Sequence, residues 1–452
     1  MPSFRFLPRR ALATLAGVVI AASLAFQPLA AGASQPDTDI ILGEPESERQ
    51  DAANDRPNIE ARNAIVMSAD GTVYFEREAD AQVKIASITK VMTAILAIEN
   101  ASLDDMVTVD HAAATVGQSS ANLKEGDTLT MEAALRALLI PSGNDAAMAI
   151  ATTVGAKIDP ASTDPWGTFV QAMNDKAAEI GMTNTKFTNP HGLDFDGWEG
   201  DMHSTARDVA TMLAYAMNND TFRQIDSSDN NVITVTGADG KQRDITMRRY
   251  NTILGQGGNI GGKTGSTYEA LNCFAGVFSR DPGGEIYSIV LGCEEDEQRL
   301  AESMALADWY YNHTVDYPVV NTEQTTPDGE PLIARAPHAD WTDKSVDVTT
   351  TDTGSTVVLF SLAGEVEQDV ELQSITGDVT EGQSVGTLTL SQDGKELASV
   401  ELVSAENVEA PDPLSWILVQ LDRVVRFVTG QPGTAELEVI ADAPDALEVD
   451  AA

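Results

Sequence analysis

Residues 88–98 are apolar on nearly every side of a helix, a pattern that a surface helix cannot carry. Such a helix must be covered all round, so the rest of the chain has to supply layers on both sides of it. The neighbouring patterns can do so. Asn63-Ala64-Ile65-Val66-Met67 and Thr72-Val73-Tyr74-Phe75 flank Asp70-Gly71, which predicts a β-hairpin. Residues 131–139 and 145–154 read as further helices, interrupted by Pro141-Ser142-Gly143-Asn144. A second hairpin is expected where residues 271–279 and 285–292 flank Asp281-Pro282-Gly283-Gly284, followed by a helix over 300–311. Helices mixed with hairpins over residues 58–318 predict one α+β domain.

The pattern changes after residue 318. Short β-rich runs such as Thr356-Val357-Val358-Leu359-Phe360 and Val385-Gly386-Thr387-Leu388-Thr389-Leu390 alternate with turn glycines, predicting a small β-sandwich over residues 319–410. Pro411 and Pro413 then introduce a helix over 411–429, and an acidic tail without one basic residue fills 430–452. At the other end, Arg5, Arg9 and Arg10 precede an uncharged apolar stretch and the small-residue pattern Ala31-Gly32-Ala33. This is the layout of a bacterial secretory signal peptide over 1–33, with an uncleaved membrane helix as the alternative. The acidic, aperiodic residues 34–57 read as a flexible spacer.

The chain has 28 Lys and Arg against 70 Asp and Glu, a formal net charge of −42 over 452 residues. Phosphate binding needs clustered cations, so nucleic acid is excluded as a partner. An anionic ligand would need a concentrated basic site against this field. Two cysteines exclude a disulfide-rich scaffold and a four-cysteine zinc site, and His111, His203, His313 and His338 show no metal-ligand spacing. No metal or cofactor is expected.

Three short motifs carry chemistry: Ser87-Ile88-Thr89-Lys90, Ser142-Gly143-Asn144 and Lys263-Thr264-Gly265. Each alone is weak, and an isolated S-x-x-K is most often an ordinary helix turn. Here Ser87 and Lys90 stand three apart at the head of the buried helix, which puts both side chains on one face. A lysine there loses solvation, favours its neutral form and can accept the serine proton. Unpaired N–H groups at the helix start lie beside the nucleophile.

With these motifs the chain resembles the low-molecular-mass penicillin-binding proteins of the serine D-Ala-D-Ala carboxypeptidase type. The resemblance extends over roughly residues 58–410. It includes Ile140-Pro141-Ser142-Gly143-Asn144-Asp145, Asn189-Pro190-His191-Gly192-Leu193-Asp194, Ser204-Thr205-Ala206-Arg207-Asp208 and Gly261-Gly262-Lys263-Thr264-Gly265-Ser266-Thr267. It implies a transpeptidase-like antiparallel sheet with helices, followed by the β-sandwich and an amphipathic helix. It also implies an acyl-enzyme on Ser87 with Lys90 as base. Ser142 would relay a proton to the leaving amine and Asn144 would position substrate. Lys263 and Thr264 would hold the terminal carboxylate on an edge strand that Gly265 lets approach closely, and the N–H groups of Ser87 and Ser266 would form an oxyanion hole.

The implied substrate is a peptidoglycan stem pentapeptide ending in D-Ala-D-Ala, with β-lactams as covalent inhibitors and the outer face of the cytoplasmic membrane as the place of work. Two alternatives stay open: an endopeptidase acting on cross-links, and a catalytically inactive wall-binding or penicillin-sensing protein. No Glu-x-x-Leu-Asn segment occurs between residues 150 and 260, which weakens a β-lactamase reading.

Arg248 and Arg249 lie within 16 residues of Lys263 and are candidate helpers in carboxylate binding, with surface ion pairs as the plainer reading. The family's usual Asn-x-Asn before the third motif is replaced by Tyr250-Asn251-Thr252, a departure from the family pattern beside these two arginines. His191 sits in an active-site-proximal loop that could be purely structural. Cys273 and Cys293 fall in opposite arms of the second hairpin, where they form either a bridge or two buried thiols, separated by a one-residue register mismatch. Leu414, Ile417, Leu418, Leu421, Val424, Val425 and Val428 share one helical face. They predict a peripheral membrane contact, or else packing against the β-rich domain.

Overall fold

The structure is a computed structural model that describes residues 39–45 and 56–442. The expected signal peptide, most of the expected spacer and residues 443–452 of the tail lie outside the described residues.

The strands are β1 (Asp39–Ile41), β2 (Glu44–Pro45), β3 (Asn63–Ser68), β4 (Val73–Arg77), β5 (Met106–Thr108), β6 (Thr128–Thr130), β7 (Val232–Thr236), β8 (Gln242–Thr246), β9 (Asn259–Thr267), β10 (Leu271–Arg280) and β11 (Gly284–Cys293). Over the described residues they form an antiparallel seven-stranded sheet in the order β2-β1-β4-β3-β11-β10-β9, and a small sheet β5-β6-β7-β8. Both expected hairpins are present, as β3–β4 and β10–β11. Pairing of β3 with β11 closes the chain's early and late halves into one sheet and leaves β9 at its edge.

Both faces of the sheet are covered. Ile65, Met67, Val277 and Ile289 point into one core, while Ala64, Val66, Phe278 and Val290 point into another. Such double coverage explains why β3 reads as a continuous apolar run and not as an alternation. The first core contains α1 (Lys90–Asn100), whose residues 90–97 are all buried, as the all-round apolar pattern requires. Around it stand α2 (His111–Thr115), α3 (Met131–Leu139), α4 (Asn144–Ile158), α5 (Pro165–Glu179), α6 (Ala206–Met217) and α7 (Asp220–Asp226). Helix α8 (Gln298–Asn312) covers the other face through Leu306, Ala307, Trp309 and Tyr310.

The expected spacer is not wholly a spacer. Asp39–Ile41 pairs with β4, and buried Asp39 takes two hydrogen bonds from buried Arg77, at 2.6 and 2.8 Å. Three residues are too few to show a β period, so the sequence pattern could not reveal this strand.

The β-rich region has β12 (Thr314–Pro318), β13 (Ala334–Pro337), β14 (Ser345–Thr350), β15 (Thr356–Phe360), β16 (Val366–Leu372), β17 (Ser384–Gln392), β18 (Lys395–Ser404) and β19 (Glu438–Val439). Its six-stranded sheet β16-β17-β18-β14-β13-β19 and the β12–β15 pair enclose one core, with Tyr317 and Leu359 facing Val346, Leu388 and Leu402. This is the expected sandwich. Part of the expected acidic tail belongs to it. Glu438–Val439 pairs with β13, Ile440 and Ala441 donate N–H bonds to the Ile333 carbonyl, and Ala441 is buried.

Cys273 and Cys293 are both free and buried. Cys293 pairs across the ladder with Asn272, and a bulge follows between Asn272 and Phe274. The register therefore sends Cys273 into one core and Cys293 into the other. The bridge is excluded on opposite faces of a sheet. Unfolding the protein in denaturant without reductant should expose two titratable thiols to a colorimetric thiol reagent; finding none would contradict this register.

Candidate active site

Three elements of different origin meet at one cleft. The first is the 3₁₀ turn Ala86–Thr89 that leads into α1. Ala86 has φ +48, an uncommon conformation for a residue with a Cβ, and two glycines hold the turn in place. A Cβ on Gly192 would stand 1.9 Å from the Ala86 carbonyl oxygen, and one on Gly265 would stand 2.6 Å from the Ile85 carbonyl oxygen and 3.1 Å from the Ser87 nitrogen. Only glycine fits at either contact, so loop and edge strand grip the Ser87 turn from two sides.

Lys90, the first residue of α1, is fully buried, with Nζ 2.8 Å from Ser87 Oγ. The same nitrogen donates to the His191 carbonyl at 2.7 Å. Burial, and then the nearby charge of Lys263, hold its ammonium well below the ordinary lysine range, against a weaker pull from Asp145. A neutral amine this close to a hydroxyl is placed to take its proton.

The second element is the connection from α3 to α4. Ser142 adopts φ +59 and is buried, and its Oγ accepts a hydrogen bond from Lys263 Nζ at 2.9 Å. Gly143 is required there, because a Cβ would meet the Ala137 carbonyl at 2.7 Å. Asn144 opens α4, and its Nδ2 donates to the Gly117 carbonyl while its buried Oδ1 finds no partner among the described residues. Asp145 pins the opposite wall by accepting from Ser120 Oγ and from the N–H groups of Ala121 and Leu123.

The third element is β9. Lys263 and Thr264 are buried, Gly265 lies against the Ser87 turn, and Ser266 is exposed to the cleft. Burial first, and then the charge of Arg299, push the Lys263 ammonium down to about 7, opposed by Asp226. The cleft between these elements has a volume of about 250 Å³ and is lined by Ser87, Asn144, Leu193, Phe195, Ser266 and Tyr268. A larger hollow of about 480 Å³ lies over the four-stranded sheet and contains no residue of the three motifs, so size does not identify the reactive site.

Ser87, Lys90, Ser142, Asn144, Lys263, Thr264, Gly265 and Ser266 thus come together. Arg248 and Arg249 do not join them. Arg248 is exposed over the ring of Tyr250, and Arg249 donates to the carbonyls of Asp226 and Ser228. The guanidinium that reaches β9 is that of buried Arg299, in the first turn of α8, which donates to the Gly265 carbonyl at 2.8 Å. Sequence reasoning missed it. The available cue was a basic residue at the head of a helix that must lie on the sheet. His191 contributes its main-chain carbonyl to Lys90. Its ring is buried, held far below the usual histidine range by desolvation and by Lys90, and its Nδ1 accepts from the Leu193 N–H. The structural reading of that loop accounts for these contacts.

The family model described as D-alanyl-D-alanine carboxypeptidase matches residues 50–295, and that of the penicillin-binding protein 5 C-terminal domain matches residues 322–410. D-alanyl-D-alanine carboxypeptidase DacC of Escherichia coli is 30% identical over 376 residues, covering 78% of this chain and 85% of that protein. DacF of Bacillus subtilis is 26% identical, covering 77% of this chain and 86% of its own length. The crystal structure of the Streptomyces K15 DD-transpeptidase superposes with a TM-score of 0.51 at 30% identity, over 56% of this chain and 98% of that one. Penicillin-binding protein 5 from Haemophilus influenzae, 22% identical with a TM-score of 0.53, shares the fold over 78% of this chain and 99% of its own.

Proposed function

Because the chain belongs to the D-alanyl-D-alanine carboxypeptidase family, we propose that it removes the terminal D-Ala from peptidoglycan stem peptides through an acyl-enzyme on Ser87. The observation that carries this reading is the Lys90 Nζ, buried and 2.8 Å from Ser87 Oγ. The terminal carboxylate of the peptide meets the Thr264 hydroxyl and the two cations that this strongly acidic chain brings to β9, Lys263 and Arg299. Lys90 takes the Ser87 proton as Oγ attacks the carbonyl of the penultimate residue. The N–H groups of Ser87 and Ser266 receive the developing oxyanion, which the tight approach of Gly265 to the Ser87 nitrogen favours. Ser142, held by Lys263 at 2.9 Å, relays the proton taken up by Lys90 to the departing amine, so that D-Ala leaves and Lys90 is neutral again while Lys263 keeps its charge. Water then attacks the ester, and Lys90 takes its proton and returns it to Ser87 Oγ as the shortened peptide leaves. A β-lactam carries a carboxylate beside a strained amide and would acylate the same oxygen.

The test is release of D-Ala from a soluble pentapeptide beside cleavage of cross-linked dimers. Turnover of the pentapeptide is expected to dominate. Cleavage of dimers alone would favour the endopeptidase, and turnover of neither would favour the inactive sensor.

The same reading extends to the place of work, outside the cytoplasmic membrane, as the basic-then-apolar start of the chain suggests. Among the described residues no helix is long and apolar enough to cross a membrane. The helix α9 (Pro413–Thr429) is instead amphipathic with its apolar face turned outward. Val419 is buried and Arg423 donates to the Ala339 carbonyl, whereas Leu414, Leu421, Val424 and Val428 are each at least 59% exposed. The apolar stripe does not pack on the β-rich region. We infer that this face rests in the lipid interface, where burying its seven apolar residues would contribute roughly 10 kcal/mol at about 1.5 kcal/mol each before ordering costs. Truncation after Asp412 would also remove β19, so substitutions test this better. Leu421→Asp with Val425→Asp is expected to abolish binding to phosphatidylcholine vesicles while leaving turnover of soluble pentapeptide intact. Equal vesicle binding by variant and parent would overturn the assignment.

A further inference from the structure

Behind the Lys263 strand lies a carboxyl group that the acylation scheme leaves without a task. Asp226 is the last residue of α7 and is 3% exposed. Its Oδ2 accepts the N–H of Gly262 at 2.6 Å, one residue before Lys263. A Cβ on Gly261 would stand 2.4 Å from that same oxygen, so glycine at 261 is what allows the carboxyl to reach the strand. The charges of Arg249, from the loop after β8, and of Lys263 itself act on the carboxyl. The main-chain oxygen of Asp226 accepts from Arg249, which fixes the end of α7 against that loop.

Charge is unevenly shared in this enclosure. Lys263 is disfavoured as a cation by burial and by Arg299, and Asp226 is the carboxylate that opposes both. Desolvation in turn pushes the Asp226 carboxyl up to about 6, against the Gly262 N–H, Arg249 and Lys263. Above that value the buried carboxylate is charged, and each of the pair then supports the charge of the other.

We propose that Asp226 is a positioning residue for Lys263: it ties down the backbone at Gly262 and keeps the Lys263 ammonium charged in the empty cleft, ready for an anionic peptide terminus. The proposal rests on the reading that Lys263 receives the substrate carboxylate. It has a consequence specific to the free enzyme. Once substrate is bound, its own carboxylate supports the Lys263 charge, so Asp226 matters most before binding.

The test is the pH dependence of kcat/KM and kcat for a tripeptide ending in D-Ala-D-Ala, in the parent and in Asp226→Asn. The amide keeps an oxygen for the Gly262 N–H and removes only the charge. Without that charge Lys263 loses its proton at lower pH, so the basic limb of kcat/KM is expected to move to lower pH. On that limb kcat/KM would fall roughly tenfold for each pKa unit lost by Lys263, carried by KM, with a much smaller change in kcat. Superimposable kcat/KM profiles would overturn the proposal, as would equal losses in kcat and kcat/KM at every pH, which mark a merely structural support. Should the amide variant fail to fold, the carboxyl can be followed in the parent by ¹³C NMR. Acylation by a β-lactam, whose carboxylate comes to Lys263, is expected to raise the Asp226 midpoint, and an unmoved midpoint would overturn the coupling. A parent that neither releases D-Ala nor reacts with penicillin would instead contradict the function itself. An active parent with an unshifted variant contradicts only the role of Asp226.

Discussion

Ser87→Ala is expected to abolish covalent reaction with penicillin and release of D-Ala together, because it removes the cleft-lining hydroxyl whose proton the buried Lys90 amine, at 2.8 Å, is placed to take. Lys90→Ala should slow acylation by on the order of 10³-fold, the usual scale for loss of a positioned general base. The two substitutions should be far from additive, the double variant being no worse than Ser87→Ala, since serine and lysine act on one proton. Stopped-flow acylation by a chromogenic cephalosporin measures all three. A Lys90→Ala variant that acylates within a few-fold of the parent would show that another group takes the proton.

The second large effect concerns stability. Arg77 and Asp39 are each 1% exposed, and the guanidinium also donates to the carbonyls of Ile59 and Ala61. Arg77→Met is expected to destabilise the fold by about 3–5 kcal/mol, because it leaves the Asp39 carboxylate buried without a cation. Adding Asp39→Leu should recover part of the loss. Recovery should remain incomplete, since two carbonyls still lack their donor, at about 1–3 kcal/mol each if they stay buried. Urea unfolding of the three proteins measures this. A cost below about 1 kcal/mol for Arg77→Met, the scale of an exposed pair, would mean that Asp39 on β1 is not held buried against Arg77 as described.

How much of this could be read in the sequence depends on how local each signal is. The three motifs are contiguous strings, and the buried helix carrying Lys90 declares itself by eight apolar residues among the eleven of 88–98. The hairpins were legible for the same reason, each being two strands joined by turn residues. Arg299 was not, because its partner Gly265 lies 34 residues away and the contact forms only when α8 crosses the end of β9. Arg248 and Arg249 were favoured by nearness in sequence to Lys263, whereas the fold commits Arg249 to α7 and its loop. The cysteines turned on a bulge that shifts register by one residue, and no composition signal marks it. Strands β1 and β19 are three and two residues long, and both depend on a partner strand that the local sequence does not name.

The central claim is that Ser87 is the nucleophile of a cleft built from three separate chain segments. The most direct measurement is to label the protein with a fluorescent penicillin, digest it and locate the adduct by peptide mass. The account places a single stoichiometric adduct on Ser87. An adduct on any other residue, or none, would contradict it.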